Sequence, residues 1–231
     1  MHVMDKVAVV SCHVERPLDD RCWSAFSALQ AARPGGFEIA ALMRPPADGE
    51  SESLWLARAR IAATRGPLGH HTHWGGIEQA RPTDGDPAAL VRAQAVWLRE
   101  RGLEPRLFCG GGWYMDEGVA AALAELGYTD CTATAFHPSY LAADAPRASL
   151  DEPGMLQVGA ATLAELPTTH SVGMAFRAAF GRLSEYVHVY FHDTDLLDGR
   201  RRLALEYALV AIGRRRRAER LDNLRSAVSP P

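Results

Sequence analysis

Short apolar, β-branched runs alternate along this chain with stretches whose apolar residues recur at helical spacing. Lys6–Ser11 (KVAVVS) reads as a buried strand. Asp19 or Asp20 offers an N-cap for a helix to about Ala32 that carries Trp23, Phe26 and Leu29 on one face, and Pro34-Gly35-Gly36 ends it. Further strands are expected at Phe37–Met43, Gly66–His73, Arg106–Cys109 and Thr129–Ala133. Helices are expected at Ser51–Thr64, Asp86–Arg101 and Asp116–Leu126, the last two closed by Gly102 and Gly127. Pro138–Gly154 has little periodicity and reads as a long loop. Leu163–Leu166 is a weak strand and Ser171–Phe180 a weak helix. Tyr186–His192 (YVHVYFH) alternates cleanly as a strand, and the chain beyond Asp198 is helical with a break near Gly213.

Strands alternating with helices imply βαβ units and a parallel α/β sheet. Roughly seven such units fit a small or incomplete (β/α) barrel, with a doubly wound open sheet as the alternative. No GxGxxG follows the first strand and no GxxxxGK(S/T) occurs, which removes the usual warrants for a nucleotide site.

Composition narrows the class. The 231 residues are 47% hydrophobic and 23% charged with a net charge of −3, which predicts one folded domain over 1–231. The balance gives no reason to expect nucleic acid or anionic lipid as a partner. No apolar run approaches the roughly 18 residues that span a bilayer, so no membrane contact is expected. The opening MHVMDKVAVVSCHVE lacks a basic segment followed by a long apolar one, and a cytoplasmic location is expected. Cys12, Cys22, Cys109 and Cys131 form no CxxC pair and read as reduced, buried thiols. Lys6 is the only lysine among 25 basic residues, a compositional bias without functional meaning. The Arg214–Arg217 run reads as a solvated helix face.

In parallel α/β folds the chemistry gathers at the carboxyl ends of the strands. Here those ends read Cys12-His13-Val14-Glu15, Gly69-His70-His71-Thr72-His73-Trp74, Phe108-Cys109-Gly110-Gly111-Gly112-Trp113-Tyr114 and Phe191-His192-Asp193-Thr194-Asp195. They hold five of the nine histidines. His71 and His73 are two apart, so on a strand they share a face, and the same parity pairs His13 with Glu15. Two imidazoles, a carboxylate and a position left for water make a catalytic zinc arrangement. The plainer reading of H-x-H is two satisfied polar-loop histidines. A one-residue change of register would bring His70 inward and remove the other two. His192 suits a general acid or a half-buried histidine held by Asp193 or Asp195. The glycine run permits close backbone approach to a ligand, and Trp113 suits either a sugar ring or the core.

These strand ends, in this order, resemble the polysaccharide deacetylase superfamily, the NodB-homology group or carbohydrate esterase family four. The resemblance runs from about Val7 to the last helices. It implies a distorted, TIM-like (β/α)7 barrel that removes acetyl groups from sugars with one divalent metal, commonly zinc. His13-Val14-Glu15 matches a D-V-D or D-V-E variant of the first motif, which makes Glu15 the metal carboxylate and puts His13 where the base aspartate would be. His71-Thr72-His73-Trp74 resembles a divergent G-x-H-x-H-x-W form, with His71 and His73 as ligands. Cys109 stands near the place of the arginine that orients the base. Tyr190-Phe191-His192-Asp193 matches the final motif and makes His192 the acid. The resemblance implies a metal-dependent deacetylase or amidohydrolase acting on non-peptide C–N bonds. Its metal would be Zn2+, with Co2+, Mn2+ or Ni2+ as substitutes, and Trp74, Gly111, Gly112, Trp113, Tyr114 and Asp193 would line the substrate site. An inactive barrel that binds a glycan or small ligand, and a hydrolase of cyclic amides, are the alternatives.

Overall fold

The computed structural model describes residues 6–228. In chain order the strands are β1 (Val7–Val14), β2 (Ala40–Met43), β3 (Leu68–Thr72), β4 (Leu107–Gly110), β5 (Thr129–Asp130), β6 (Gly154–Val158), β7 (Ala161–Glu165), β8 (Tyr186–His192) and β9 (Arg217–Ala218). The helices are α1 (Asp20–Ala32), α2 (Glu52–Arg65), α3 (Pro87–Glu100), α4 (Glu117–Leu126), α5 (Val172–Ala178), α6 (Gly199–Gly213) and α7 (Arg225–Val228). Local chemistry sets their starts. Asp19 accepts from the N–H groups of Arg21 and Cys22 ahead of α1, and Ser51, Asp86 and Asp116 cap α2, α3 and α4 in the same way.

The sheet runs in the order β6-β7-β5-β4-β3-β2-β1-β8, and only the β6–β7 pair is antiparallel. From β5 to β1 the order moves in one direction with no reversal point, which rules out the doubly wound alternative. The chain beyond β7 then crosses to β8. His170 N–H donates to the His188 carbonyl, and Tyr190 N–H donates to the carbonyl of His170. The parallel strands β8, β1, β2, β3, β4, β5 and β7 thus curl into the distorted barrel.

Strand parity divides the core. Ala8, Val10, Cys12 and Val14 of β1 face outward and pack with Phe26 and Leu29 of α1 and Leu205, Leu209 and Ile212 of α6. Val7 and Val9 face inward with Leu42, Leu107, Cys131 and Leu166. Leu221, Leu224 and Val228 enter the same inner cluster and plug the barrel at the end where β1 begins. Continuing the inward parity along β1 leads from Val9 to Ser11, His13 and Glu15, which brings these polar side chains to the opposite end.

Three expectations are corrected. Thr129–Ala133 is a two-residue strand, because Thr132 and Ala133 turn to bond the carboxylates of Asp130 and Glu165. The long loop ends in a strand, β6, held only by its hairpin with β7. Beyond Gly213 the chain leaves the helix to form β9 against β1, so Arg217 of the arginine run lies on a strand. No helix among the described residues is long and apolar enough to cross a membrane.

Candidate metal centre

Glu15 follows β1, and His71 and His73 lie on and just beyond β3, all with inward parity. His70 and Thr72 point outward to Gln94, and His70 also meets Tyr128, so the register that would bring His70 into the site is excluded. His73 Nε2 is 3.2 Å from Glu15 Oε1, His71 Nε2 is 3.8 Å from it, and His192 Nε2 is 3.5 Å from it. Both ring partners are tied from behind. His71 Nδ1 lies 2.9 Å from the Cys109 carbonyl and His73 Nδ1 lies 3.0 Å from that of Ile77. A carbonyl only accepts, so each Nδ1 carries a proton, which leaves the Nε2 of each ring, facing Glu15, as the atom that a cation would take.

His71 Nε2 is buried and has no hydrogen-bond partner. A buried acceptor left unmatched is costly unless something else meets it. The donor atoms of Glu15, His71 and His73 all lie within 4.8 Å of one another. A tetrahedral zinc site with bonds of about 2.0–2.1 Å needs donors about 3.3 Å apart, so small movements suffice. The residues present therefore fit a divalent cation.

The electrostatics agree. Burial pushes the Glu15 carboxyl up, but His71, His73 and His192 outweigh it and hold the group far below the usual carboxylate range. Burial lowers His71, partly offset by Glu15, which leaves a neutral imidazole. His192 differs: burial lowers it, but Asp195 and Glu15 outweigh burial and raise it. The Asp195 carboxylate accepts from His192 N–H at 2.9 Å, lies 3.7 Å from its Nδ1, and also pairs with Arg201.

His13 is only 3% exposed. The rings of His71, Trp113, Tyr190 and His192 surround it at centroid distances of 4.7 to 5.3 Å. Its Nε2 lies 3.5 Å from Cys109 Sγ. Burial, then His71 and His192, lower it well below the ordinary histidine range, so it is neutral at pH 7.

The residues expected to line a substrate site also make packing contacts. Asp193 is fully buried and accepts from the N–H groups of Arg16 and Thr194, tying the end of β8 to the end of β1. A Cβ on Gly111 would come within 2.6 Å of the Thr72 carbonyl oxygen and 2.8 Å of His73 Cδ2, and one on Gly112 within 2.4 Å of Arg81 Cγ. The glycines thus admit the loop after β3, not a ligand. Trp113, at φ +57°, is buried between His13 and Tyr190. Tyr114 bonds Asp116 and lies under Arg81. Trp74 packs edge-on against Tyr114, donates to the Pro87 carbonyl, and borders a solvent cavity of about 240 Å³ that also reaches His73. Gly111→Ala is expected to destabilise the fold by about 1–3 kcal/mol and, by displacing His73, to weaken zinc binding about 10–100-fold. Thermal melting and a zinc titration would check both.

A cavity of about 440 Å³ opens beside His192, walled by Phe176, Tyr190, Asp195, Arg200 and Arg201. Sequence reading names Tyr190 and Asp195 of this wall and misses Phe176, Arg200 and Arg201. Asp195 carries a local signal, three residues after His192 at a strand end. Phe176 and Arg200 carry none, because they arrive from α5 and from the start of α6.

No protein-family model matches the chain, and no curated protein matches it in sequence. Solved structures do. A Mycobacterium smegmatis protein assigned as a polysaccharide deacetylase superposes with a TM-score of 0.66 at 14% identity, covering 99% of this chain and 92% of that one. A family 4 carbohydrate esterase from Streptomyces lividans, solved with acetate, gives 0.51 at 12% identity over 89% of this chain and 86% of that one. A 4-alpha-glucanotransferase from Thermococcus litoralis gives 0.60 at 13% identity, but the match spans 39% of that protein. The chain shares the fold of the polysaccharide deacetylase and carbohydrate esterase structures.

Proposed function

We propose, with the polysaccharide deacetylase fold as the premise, that this protein is a metal-dependent hydrolase that deacetylates an N-acetylated sugar or small glycoside. The observation that carries the reading is the buried, unpartnered His71 Nε2 facing a carboxylate, with its Nδ1 fixed by a carbonyl. Glu15, His71 and His73 would hold the ion, and the mixed nitrogen and oxygen donors suit Zn2+, with Co2+, Mn2+ or Ni2+ as substitutes. When bound, such an ion supplies Lewis acidity, making water a better nucleophile and polarising an acetamide carbonyl.

The chain's own groups divide the proton work. His192, raised by Asp195 and Glu15 and open to the 440 Å³ cavity, holds a proton for the departing amine. Asp195 fixes that ring. His13, kept neutral by burial, has a lone pair to take a proton from the attacking water. Replacing His13 by Gln is expected to lower kcat about 100- to 10,000-fold while metal content stays unchanged.

The same burial of His13, with no aspartate beside it, favours a second reading, a barrel that binds a glycan without turning it over. The decisive experiment measures metal by plasma mass spectrometry on untagged protein purified without chelator, then assays acetylated sugars against cyclic imides and ureides. About one equivalent of metal and release of acetate support the deacetylase. Turnover of the cyclic substrates alone moves the activity to other C–N bonds. Metal without turnover of any substrate leaves the binding barrel, and no metal, even after addition of zinc, cobalt or manganese, sinks the hydrolase.

A further inference from the structure

A second set of donors lies directly beneath the first. His13, His71 and Cys109 are all buried, and their donor atoms also lie within 4.8 Å of one another. A tetrahedral ion of the size of Zn2+, with a metal–nitrogen bond of about 2.05 Å and a metal–sulfur bond of about 2.3 Å, holds those two donors about 3.5 Å apart, and a larger ion such as Cd2+ needs them slightly farther apart. His13 Nε2 and Cys109 Sγ are 3.5 Å apart before any ion is added. The two sets share one atom. His71 Nδ1 is taken by the Cys109 carbonyl, so only Nε2 can serve either set.

We propose that His13, His71 and Cys109 form an inner cation position that takes thiophilic ions such as Cd2+ or Cu+, exclusive of the outer Glu15–His71–His73 position. The donor chemistry separates the two. The outer set ends in a carboxylate, and the inner set ends in sulfur, which prefers softer ions. Occupying the inner position replaces the thiol proton with the ion, and that proton leaves to solvent, so no oxidant or reductant is needed. The occupied inner position removes His71 from the outer one and His13 from proton transfer, so a soft ion is a dead-end occupant of the centre. The inference rests on the proposed metal site only through His71.

The test is Cd2+ titration of the full-length protein, read by the ultraviolet thiolate-to-metal charge-transfer band. Wild type is expected to show the band at one equivalent per chain, and Glu15→Ala and Cys131→Ser are expected to keep it. Cys109→Ser is expected to lose it, with Cd2+ affinity falling by more than the roughly 10–100-fold that an outer-shell partner costs. Cadmium NMR of wild type, which separates one sulfur with two nitrogens from oxygen-rich coordination, serves if Cys109→Ser does not fold. No band in wild type, its survival in Cys109→Ser, its loss in Glu15→Ala, or an oxygen-rich cadmium shift each overturns the inner position. Zinc uptake by Cys109→Ser reads the outer site separately. Its absence, with the cadmium band intact in wild type, counts against the proposed hydrolase and leaves the inner position standing.

Discussion

Glu15→Ala and His71→Ala are each expected to abolish retention of zinc at the outer position and to lower kcat/KM on an acetylated sugar by about 1000-fold or more. Plasma mass spectrometry and an acetate-release assay read the two effects separately. Either variant that keeps a full equivalent of metal removes that residue from the site. The folds of these variants should survive. His71→Ala removes a buried ring and its Nδ1 bond to the Cys109 carbonyl, so its melting temperature is compared with wild type beside the metal measurement. Glu15 adds a pH dependence of its own. Its folded carboxyl is held below the ordinary value of 4.5 by the three imidazoles, against the opposing effect of burial. Its contribution to stability is therefore present above about pH 4.5 and is lost as pH falls toward the depressed value. Glu15→Ala should flatten that part of the acid-stability curve.

Breaking the carboxyl pair in the barrel wall should have the largest effect on stability. Asp130 and Glu165 face each other on β5 and β7, both fully buried. Asp130 Oδ1 accepts from the N–H and hydroxyl of Thr132, and Glu165 Oε1 accepts from Ala133 N–H. The two remaining oxygens have no other donor, and one proton shared between them is expected to satisfy both. Burial, then Asp130, raises Glu165 well above the usual carboxylate range. Glu165→Ala leaves Asp130 without that proton and should cost about 3 kcal/mol at pH 7. Glu165→Gln replaces the hydroxyl donor with an amide and should restore most of it. A raised folded value stabilises at low pH, and the benefit is lost as pH rises through it. Wild type should therefore lose about 1.4 kcal/mol of stability for each pH unit between the ordinary carboxylate value and the pair's raised value and level off above it, while Glu165→Gln stays flat. Melting temperatures across pH would decide this, and a wild-type curve as flat as that of the variant would count against the shared proton.

Much of the barrel could be read because its signals are local. Asp19, Ser51, Asp86 and Asp116 announce their helices, and YVHVYFH alternates over the full length of β8. The hairpin strand β6 is half-buried and packs on one neighbour, so its pattern is faint. β9 is two residues long and exists because β1 has an edge free to pair with it, which no local pattern records. At the site, the shared face of His71 and His73 and the inward parity of Glu15 follow from strand alternation alone. The burial of Asp193 is not legible in the sequence, because the chain tightens into a 3-10 turn immediately after His192. The turn buries Asp193 and swings Asp195 to the imidazole. Of the two readings open for Trp113, the core placement comes from its left-handed backbone, which folds the ring under His13 and which no sequence pattern records.

The neighbours of β1 also bear on how the protein is made. β1 leaves the ribosome first of the barrel strands, yet its partner β8 comes long afterwards, as the bond between Ser11 and His188 spans 177 residues. Glu15, His71 and His73 can meet while the chain is still growing, but His192 cannot join them until β8 emerges. A nascent chain stalled before Tyr186 would thus hold the three outer metal donors without the acid that completes them. For that interval one flank of β1 is an open strand edge of apolar sequence, the kind of surface that recruits chaperones or wrong partners.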